Sequence, residues 1–398
     1  MAKKIVFIGL SHRLNDPRLM HREIKTLTGS IDNIEVYFVK IVRCEEQKGL
    51  SVKTEDVALD NGKLITNISV ILPSSKGLLS KMITRLRGTL LLVRTTRGLK
   101  PEVIQASDAR ELPLAVMMKL FLKSKLVYDS HEDYYRQALD YGGKSLRSFF
   151  SALRLQLSEM LFVRFFKSVF CTDEFLLSKY SKSFYGAKEV NLLRNFPYVD
   201  ERAQERIKLK DFSSTNELKL VYIGGVNKFR GIIECAQYCR KFNEEFRDKQ
   251  VSFDVYSPPN EITEDLCNSD LITHYPWTEY EVLMRLLSNY DVGICLWLPI
   301  EKFHRNLPLK NFDYMGVGLP IITSNFGNLK KYVEIPRSGI CVDPTDYTEF
   351  KNALLTMFKP ENRKTYSMNG IIYTSRIASF QVEAKAYVKA YKRLLETQ

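Results

Sequence analysis

The sequence has no long hydrophobic run. Its most apolar stretch, LPLAVMMKLFL at 112–122, is interrupted by Lys119, whereas a membrane-spanning helix needs about 18 consecutive apolar residues. The opening MAKKIVFIGL holds only about six apolar residues in a row, fewer than the core of a signal peptide. We therefore interpret this opening as a buried strand rather than a targeting or membrane segment.

Metal and cofactor motifs are also scarce. The seven cysteines are scattered without a C-x-x-C pair, and no His or further Cys is placed to join Cys235 and Cys239 in a zinc site. We expect all seven to be reduced in a cytoplasmic protein. There is no Asp-x-Asp pair to hold a divalent metal beside a diphosphate, and neither G-x-G-x-x-G nor a Walker lysine occurs. Their absence disfavours a nicotinamide enzyme or a P-loop enzyme.

The amino-terminal half is short of acidic residues. In the whole chain of 398 residues, Lys and Arg number 59 against 46 Asp and Glu. Residues 1–200 hold 32 basic and 21 acidic side chains, whereas residues 201–398 hold 27 and 25. An excess confined to one half predicts a negatively charged partner for that half. The length is sufficient for two domains of about 200 residues each.

Continuous β-type runs alternate with helical patterns along the chain. Six runs begin at residues 4, 35, 64, 102, 125 and 168, and five more begin at 219, 251, 290, 319 and 339. This alternation predicts an α/β protein with two doubly wound parallel sheets, whose ligands bind in a cleft at the carboxyl ends of the strands. We expect domains at 1–197 and 219–374, a polar linker at 198–218, and a final helix at 375–398 that packs on the first domain.

The loop after the first strand predicts a capped helix. Asn15 or Asp16 is placed at the cap, with Pro17 at the first helical position. Asp16 is either a cap only or part of a binding site. Arg18 and Arg22 lie one turn apart at the amino end, where the helix dipole disfavours cations, so the pattern favours a nearby anion.

Polar side chains also follow the strand at 125–130. Asp129, His131 and Glu132 stand directly at its carboxyl end, within KLVYDSHEDYY. Carboxylates and an imidazole are unusual core residues, so the pattern favours a functional site, with a structural histidine as the alternative.

Two loops of the second half combine glycines with cations. LVYIGGVNKFRG places Gly224 and Gly225 where a phosphate can approach the backbone, and Arg230 at the start of the next helix. In LPLKNFDYMGVGLPIITS, Lys310 lies at a helix amino end against the dipole, which a bound anion would reconcile. Asp313 follows one turn later, where it can accept hydrogen bonds from sugar or ribose hydroxyls. Together the loops predict an anionic ligand that carries hydroxyl groups.

The chain resembles the GT-B glycosyltransferases and is most similar to glycosyltransferase family 4, along nearly its whole length. The likeness is carried, in order, by NDPRLMHREIKTL, KLVYDSHE, LVYIGGVNKFRG, LPLKNFDYMGVGLPIITS and GICVDPTD. It implies two Rossmann-like domains, a nucleotide-sugar donor held mainly by the second and an acceptor held by the first. It also implies a hexosyl transfer with retention and without a metal or other cofactor.

The resemblance further implies roles for individual residues. Arg230 and Lys310 would bind the donor diphosphate, Asp313 the ribose, and His131 would lie near the transferred sugar. The residues expected to be catalytic are His131, Lys310 and Arg230. The donor-binding residues are Gly224, Gly225, Arg230, Asn306, Lys310 and Asp313. The acceptor-binding residues are Asp16, Arg18, Asp129 and Glu132.

The sequence departs from the family pattern at several positions. The family's two acids, eight positions apart, fall on Arg305 and Asp313, so the first acid is missing and Asn306 or Arg305 is its candidate replacement. Leu309 stands where asparagine is common, and a frequent His-x-His-Asp is replaced by QASD at 105–108. These departures leave open a second function of another class, a non-catalytic sugar-nucleotide or membrane-glycan binding protein on a GT-B scaffold.

Two basic stretches of the first half carry apolar residues at helical spacing. The stretch 75–100 has seven Lys or Arg and no acid, and the stretch 144–167 is also rich in Lys and Arg. Their apolar positions are Leu79, Met82, Ile83, Leu86, Leu90 and Val93 in one, and Phe149, Phe150, Leu153, Leu157, Met160 and Leu161 in the other. These stripes either face the core or dock on an anionic inner membrane surface. Nucleic acid is not expected, because no recognition motif accompanies the charge.

Membrane docking would suit a polyprenyl-linked saccharide acceptor. The expectation is then a cytoplasmic enzyme, peripheral on the inner membrane face, in the synthesis of surface polysaccharide or glycolipid.

Overall fold

The computed structural model describes residues 2–10, 16, 18–59, 61–74, 77–142, 145–199, 202–213 and 216–396. The chain divides into two compact units. The first is Met1–Asn195 together with Glu383–Gln398, and the second is Phe196–Val382.

Eight strands form one sheet in the described part of the first unit. They are β1 (Lys3–Ile8), β2 (Ile34–Cys44), β3 (Ser51–Ala58), β4 (Leu64–Pro73), β5 (Val103–Ala106), β6 (Lys125–Ser130), β7 (Ser168–Cys171) and β8 (Val190–Leu192). Their order is β3-β4-β2-β1-β5-β6-β7-β8. Every neighbouring pair is parallel except β3 with β4, which is antiparallel.

Helices cover this sheet. A π-helix at Leu19–Ile24 leads into α1 (Lys25–Ser30), and the helices that follow are α2 (Leu78–Leu99), α3 (Leu112–Leu122), α4 (Tyr134–Gly142), α5 (Leu146–Phe162) and α6 (Glu174–Tyr180). The core between sheet and helices includes Ile8, Val39 and Leu126 from the strands, with Leu92, Ala115 and Leu155 from α2, α3 and α5. These three helices therefore pack on one face of the sheet.

The second unit has a smaller sheet. Its described strands are β9 (Glu217–Ile223), β10 (Gln250–Tyr256), β11 (Thr273–Tyr275), β12 (Val292–Cys295), β13 (Ile321–Ser324) and β14 (Gly339–Val342), in the order β11-β10-β9-β12-β13-β14. All neighbouring strands are parallel. The remaining helices are α7 (Ala203–Leu209), α8 (Ile232–Glu245), α9 (Glu261–Asn268), α10 (Tyr280–Leu286), α11 (Glu301–Arg305), α12 (Leu309–Gly316), α13 (Gly327–Glu334), α14 (Tyr347–Met357), α15 (Pro360–Arg376) and α16 (Phe380–Glu396).

The prediction of two parallel-sheet α/β units is confirmed. Three short or edge strands, β3, β8 and β11, had no sequence signal. In β3 the charged residues Lys53, Glu55 and Asp56 hide the strand pattern, because an edge strand exposed to water tolerates polar side chains. The segment predicted to be a linker lies inside the second unit and includes α7, whose Ala203 packs against Ile371.

The two basic stretches do not turn their apolar stripes to the core. Of the predicted stripe in α2 only Val93 is buried, and in α5 only Met160 is as much as half-buried. The other ten positions are exposed. The interpretation of these stripes as core-facing is therefore wrong. In the described part of the chain, every helix is too short or too polar to cross a bilayer.

Candidate functional site

A glycine at the start of α8 brings two loops of the second unit together. Gly231 has a φ of 66°, in the left-handed region that favours glycine. A Cβ atom at this position would lie 1.6 Å from the carbonyl oxygen of Leu296. Residue 231 can therefore approach the loop after β12 only without a side chain. This close approach places the neighbouring residues Arg230 and Trp297 in contact.

Arg230 lies against aromatic rings and keeps unused donors. Its guanidinium carbon is 4.1 Å from the ring centroid of Trp297 and 4.9 Å from that of Phe303. Its Nε and Nη1 atoms are buried and donate no hydrogen bond within the described residues, and the same holds for Nε1 of Trp297. Aromatic faces hold a guanidinium in place without neutralising it. Because buried donors normally have partners, this set of donors suits an incoming anion.

Lys310, in the first turn of α12, supplies a second cation. Its Nζ lies 5.0 Å from the ring centroid of Tyr222 and 5.4 Å from that of Trp297. A Cβ atom on Gly224 would be 2.9 Å from its Cε and 3.0 Å from its Nζ, so the side chain rests on the glycine turn after β9. No ion pair holds this ammonium group in the part of the chain that the structure describes. Burial and the positive charge of Arg230 lower the pKa of Lys310 to about 8.

The other predicted donor-binding residues differ in burial and in their partners. The hydroxyl of Tyr280 donates to Oδ1 of Asp313 at 2.6 Å, and Asp313 is almost buried. Asn306 is half-buried in the loop before α12, whereas Gly225 is exposed. Arg305 forms an exposed pair with Glu301 at 3.7 Å.

The arrangement of Arg230 and Lys310 makes an anion site. Two neighbouring half-buried cations repel each other and have lost part of their hydration. An anion between them would relieve both costs and would accept from the unused donors. A diphosphate offers several negatively charged oxygens, and charge-assisted hydrogen bonds to them are strong.

A different cluster lies in the first unit, around Arg18 and Asp129. The Nε of Arg18 donates to Oδ2 of Asp129 at 2.9 Å, and its Nη2 donates to Oδ1 at 2.7 Å. Arg18 is 4% exposed and Asp129 is fully buried. Burial opposes ionisation of Asp129, but the charges of Arg18 and His131 outweigh it and hold the pKa of Asp129 below its usual range.

His131 and Glu23 complete this cluster. The Nε2 of His131 is 2.5 Å from Oδ2 of Asp129 and 3.9 Å from Oε1 of Glu23. That same Glu23 oxygen is 2.8 Å from Nε of Arg18, and Oε2 accepts from Nε2 of Gln105 at 2.6 Å. Burial and the charge of Asp129 raise the pKa of Glu23.

Sequence reasoning missed Glu23 because of the π-helix. The amide of Glu23 donates to the carbonyl of Arg18, five residues earlier, at 3.0 Å. This wider turn brings the two side chains together, whereas an α-helix would separate residues five apart. Ligand atoms of Glu23, Asp129 and His131 lie within 4.8 Å of one another, a spacing that also suits a metal ion. Here the guanidinium of Arg18 already supplies the positive charge.

The remaining predicted acceptor contacts are Asp16 and Glu132. Oδ1 of Asp16 accepts from the amides of Arg18 and Leu19 at 2.9 and 3.2 Å, which is a capping role. Glu132 is exposed. Asn15 and Pro17, the other residues of the predicted cap, lie outside the described residues.

A family model and solved structures resemble this chain. Residues 217–359, which run from β9 through α14, match the model of the family Glycosyl transferases group 1. The resemblance to this group is therefore confirmed, while the assignment to family 4 stays a prediction. No curated protein matches the chain.

Solved structures match it over almost its full length. The chain is similar to the UDP-forming α,α-trehalose-phosphate synthase of Burkholderia vietnamiensis, at 14% identity over 99% of both chains with a TM-score of 0.65. Sucrose-phosphate synthase of Thermosynechococcus elongatus matches at 12% identity over 98% of this chain and 99% of that one, with a TM-score of 0.63. HepE of Anabaena, solved with UDP and glucose, matches at 12% over 98% and 100%, with a TM-score of 0.63. These likenesses establish the fold, and the GT-B prediction is confirmed.

Proposed function

We propose that the protein is a glycosyltransferase that moves a sugar from a nucleotide-sugar donor to a saccharide or a lipid-linked saccharide. The observation that carries the proposal is the pair Arg230 and Lys310, two neighbouring cations without counter-ions among the described residues. The pair lies within the segment that matches the group 1 family. A structural relative, HepE of Anabaena, was solved with UDP and glucose, which supports a nucleotide sugar as the donor.

In this proposal the cations stabilise the leaving group. Arg230 and Lys310 bind the donor diphosphate, whose negative charge grows as the bond to the sugar breaks. Donors that are fixed before the reaction stabilise that charge without reorganising. The side chain of Asp313 binds the ribose, and the turn at Gly224 and Gly225 lines the sugar-phosphate.

Transfer is proposed to proceed with retention and without a metal. The leaving phosphate then takes the acceptor proton on the face from which it departs. The sugar is a hexose, and Asn306 replaces the missing first acid near it.

The first unit is proposed to bind the acceptor. His131 is held by Asp129, which is held in turn by Arg18, so these two act as positioning residues for the imidazole. His131 lies near the transferred sugar, and the exposed Glu132 contacts the acceptor. The biological setting is a cytoplasmic enzyme in surface polysaccharide or glycolipid synthesis.

A non-catalytic binding protein is the second candidate. It is favoured by Arg305, which stands in the place of an acid and forms only an exposed pair with Glu301. The two candidates share the donor site and differ in turnover.

A panel of nucleotide sugars separates them. The full chain is incubated with UDP- and GDP-sugars, with saccharide acceptors and with or without EDTA, and release of the nucleoside diphosphate is measured. Transfer that survives EDTA and is lost in Arg230→Gln supports the proposal, with Arg240→Gln, an exposed cation of α8, as the matched control. Nucleotide binding without turnover supports the binding protein. Absence of both contradicts the donor site itself.

A further inference from the structure

Helix α5 turns its apolar stripe away from the core of the first unit. Successive residues rotate by about 100° around an α-helix. The buried positions of α5 are Ser148, Ala152, Leu155 and Glu159. Its exposed apolar residues lie on the opposite side and are Leu146, Phe149, Phe150, Leu153, Leu157 and Leu161. The helix is amphipathic, but its apolar side faces outwards.

Helix α2 exposes apolar residues in its first half. Every residue from 77 to 87 is exposed except Thr84, which is half-buried. Burial begins at Gly88, where an added Cβ atom would lie 2.2 Å from the side chain of Leu72 on β4. The exposed apolar residues occupy an arc of about 140°, and they are Leu78, Leu79, Met82, Ile83, Leu86 and Leu90.

The two helices belong to one surface. Both pack against α3, and all three helices pack on the same face of the sheet. The end of α3 adds Leu120, 77% exposed, and Phe121, 58% exposed. We call the exposed apolar residues of α2, α3 and α5 the helical apolar surface. A patch of this extent is unusual on a monomer and marks an interaction site.

Cations accompany this surface, whereas the sequences of α2 and α3 contain no acid. The sequence has no Asp or Glu between Asp60 and Glu102. The exposed cations of the two helices are Lys81, Arg85, Arg87, Arg94 and Arg97 in α2, with Arg147 and Arg154 in α5. The single acid of α5, Glu159, is buried and paired with Lys179 at 2.7 Å. The exposed charge of this surface is therefore positive.

We propose that the helical apolar surface docks on an anionic lipid bilayer. Leu, Phe and Met side chains enter the boundary between headgroups and acyl chains, while the Lys and Arg side chains meet lipid phosphates. A second copy of the chain is a poorer occupant, because in a symmetric dimer each positive surface would face its own like charge. The inference rests on the first unit alone and does not depend on the proposed transfer reaction.

Vesicle binding by the full chain tests the proposal. Vesicles of phosphatidylglycerol and phosphatidylcholine are compared with pure phosphatidylcholine, at low and at high salt, by co-sedimentation. One variant combines Phe150→Ser with Leu157→Ser, and a second combines Arg85→Gln with Arg87→Gln. The matched control combines Ile335→Ser with Ile377→Ser, two exposed apolar residues of the second unit. All four apolar side chains are exposed, so these variants should fold, which thermal melting and circular dichroism check.

The wild type and the control should sediment with the anionic vesicles at low salt and release at high salt. Each of the two surface variants should bind these vesicles about tenfold more weakly, since the loss of apolar contact or of charge weakens interfacial binding. Equal binding by wild type and both surface variants, or no binding by wild type, would overturn the proposal. So would light scattering that shows a dimer which Phe150→Ser with Leu157→Ser dissociates, without vesicle binding.

Discussion

The ammonium group of Lys310 rests on Gly224, where an added Cβ atom would lie only 3.0 Å from Nζ. Two features therefore require a glycine in this turn. One is this close contact, and the other is the φ of 109° at residue 224. A side chain at residue 224 would displace the lysine from the place where the anion is proposed to bind. The two residues therefore form one functional element, although 86 positions separate them.

Gly224→Ala should weaken nucleoside diphosphate binding about tenfold, which corresponds to about 1.4 kcal/mol. Gly77→Ala is the matched control, because Gly77 has a φ of 82° but nothing within 4 Å of an added Cβ atom. Both variants should lose stability, since alanine disfavours positive φ. Calorimetric titration with UDP measures the difference, and equal affinity in the two variants contradicts the contact.

The affinity for UDP should fall as the pH rises above 8. The pKa of Lys310 is lowered to about 8 by burial and by Arg230, and a bound diphosphate favours the protonated form. The affinity is therefore nearly complete at pH 7, half lost at pH 8, and about tenfold weaker at pH 9 than at pH 7. In Lys310→Arg the decline should disappear, because arginine stays charged throughout this range. A flat profile in the wild type argues against the role of Lys310.

Lys310→Met should abolish turnover and stabilise the free protein. Because the pKa of Lys310 in the folded chain lies below 10.5, its protonated form destabilises the fold at pH 7. Methionine should raise the free energy of unfolding by about 3 kcal/mol at pH 7, and the gain should vanish as the pH approaches 10.5. Chemical denaturation at both pH values measures it. A loss of stability at pH 7 would show that the charge of Lys310 is compensated by another group.

Arg18→Gln should lower the free energy of unfolding of the first unit. The substitution leaves Asp129 buried without its bidentate partner, which costs about 3–5 kcal/mol. Arg305→Gln is the control, because its pair with Glu301 is exposed. If Arg18 instead contacts the acceptor directly, the variant should keep its melting temperature and raise only the KM for the acceptor.

The sequence predicted more of the sheets than of the sites. Buried parallel strands are continuous β-type runs, so β1, β6 and β9 were evident. Lys310 was found because a cation at a helix amino end opposes the dipole, and Arg230 because it follows a glycine turn that a phosphate can approach. The aromatic neighbours of Arg230, Trp297 and Phe303, follow β12 rather than β9, and only the fold brings them to this arginine.

Two further features were beyond sequence reasoning for physical reasons. Glu23 meets Arg18 only through a π-turn, which changes the residue spacing that places side chains on one face. Helical periodicity shows that α5 has an apolar stripe but not which side of the helix meets the sheet. Only the folded unit shows that the apolar side of α5, with Phe150 and Leu157, is exposed.

Arg230 and Lys310 are proposed to hold the diphosphate of a nucleotide-sugar donor. Calorimetric titration of the wild type and of the double variant Arg230→Gln with Lys310→Met, with UDP and GDP as ligands, tests it most directly. We expect the wild type to bind one of them and the double variant to bind it at least about 100-fold more weakly, with an unchanged circular dichroism spectrum. Equal affinity in the two proteins, or no binding of either nucleotide by the wild type, would contradict it.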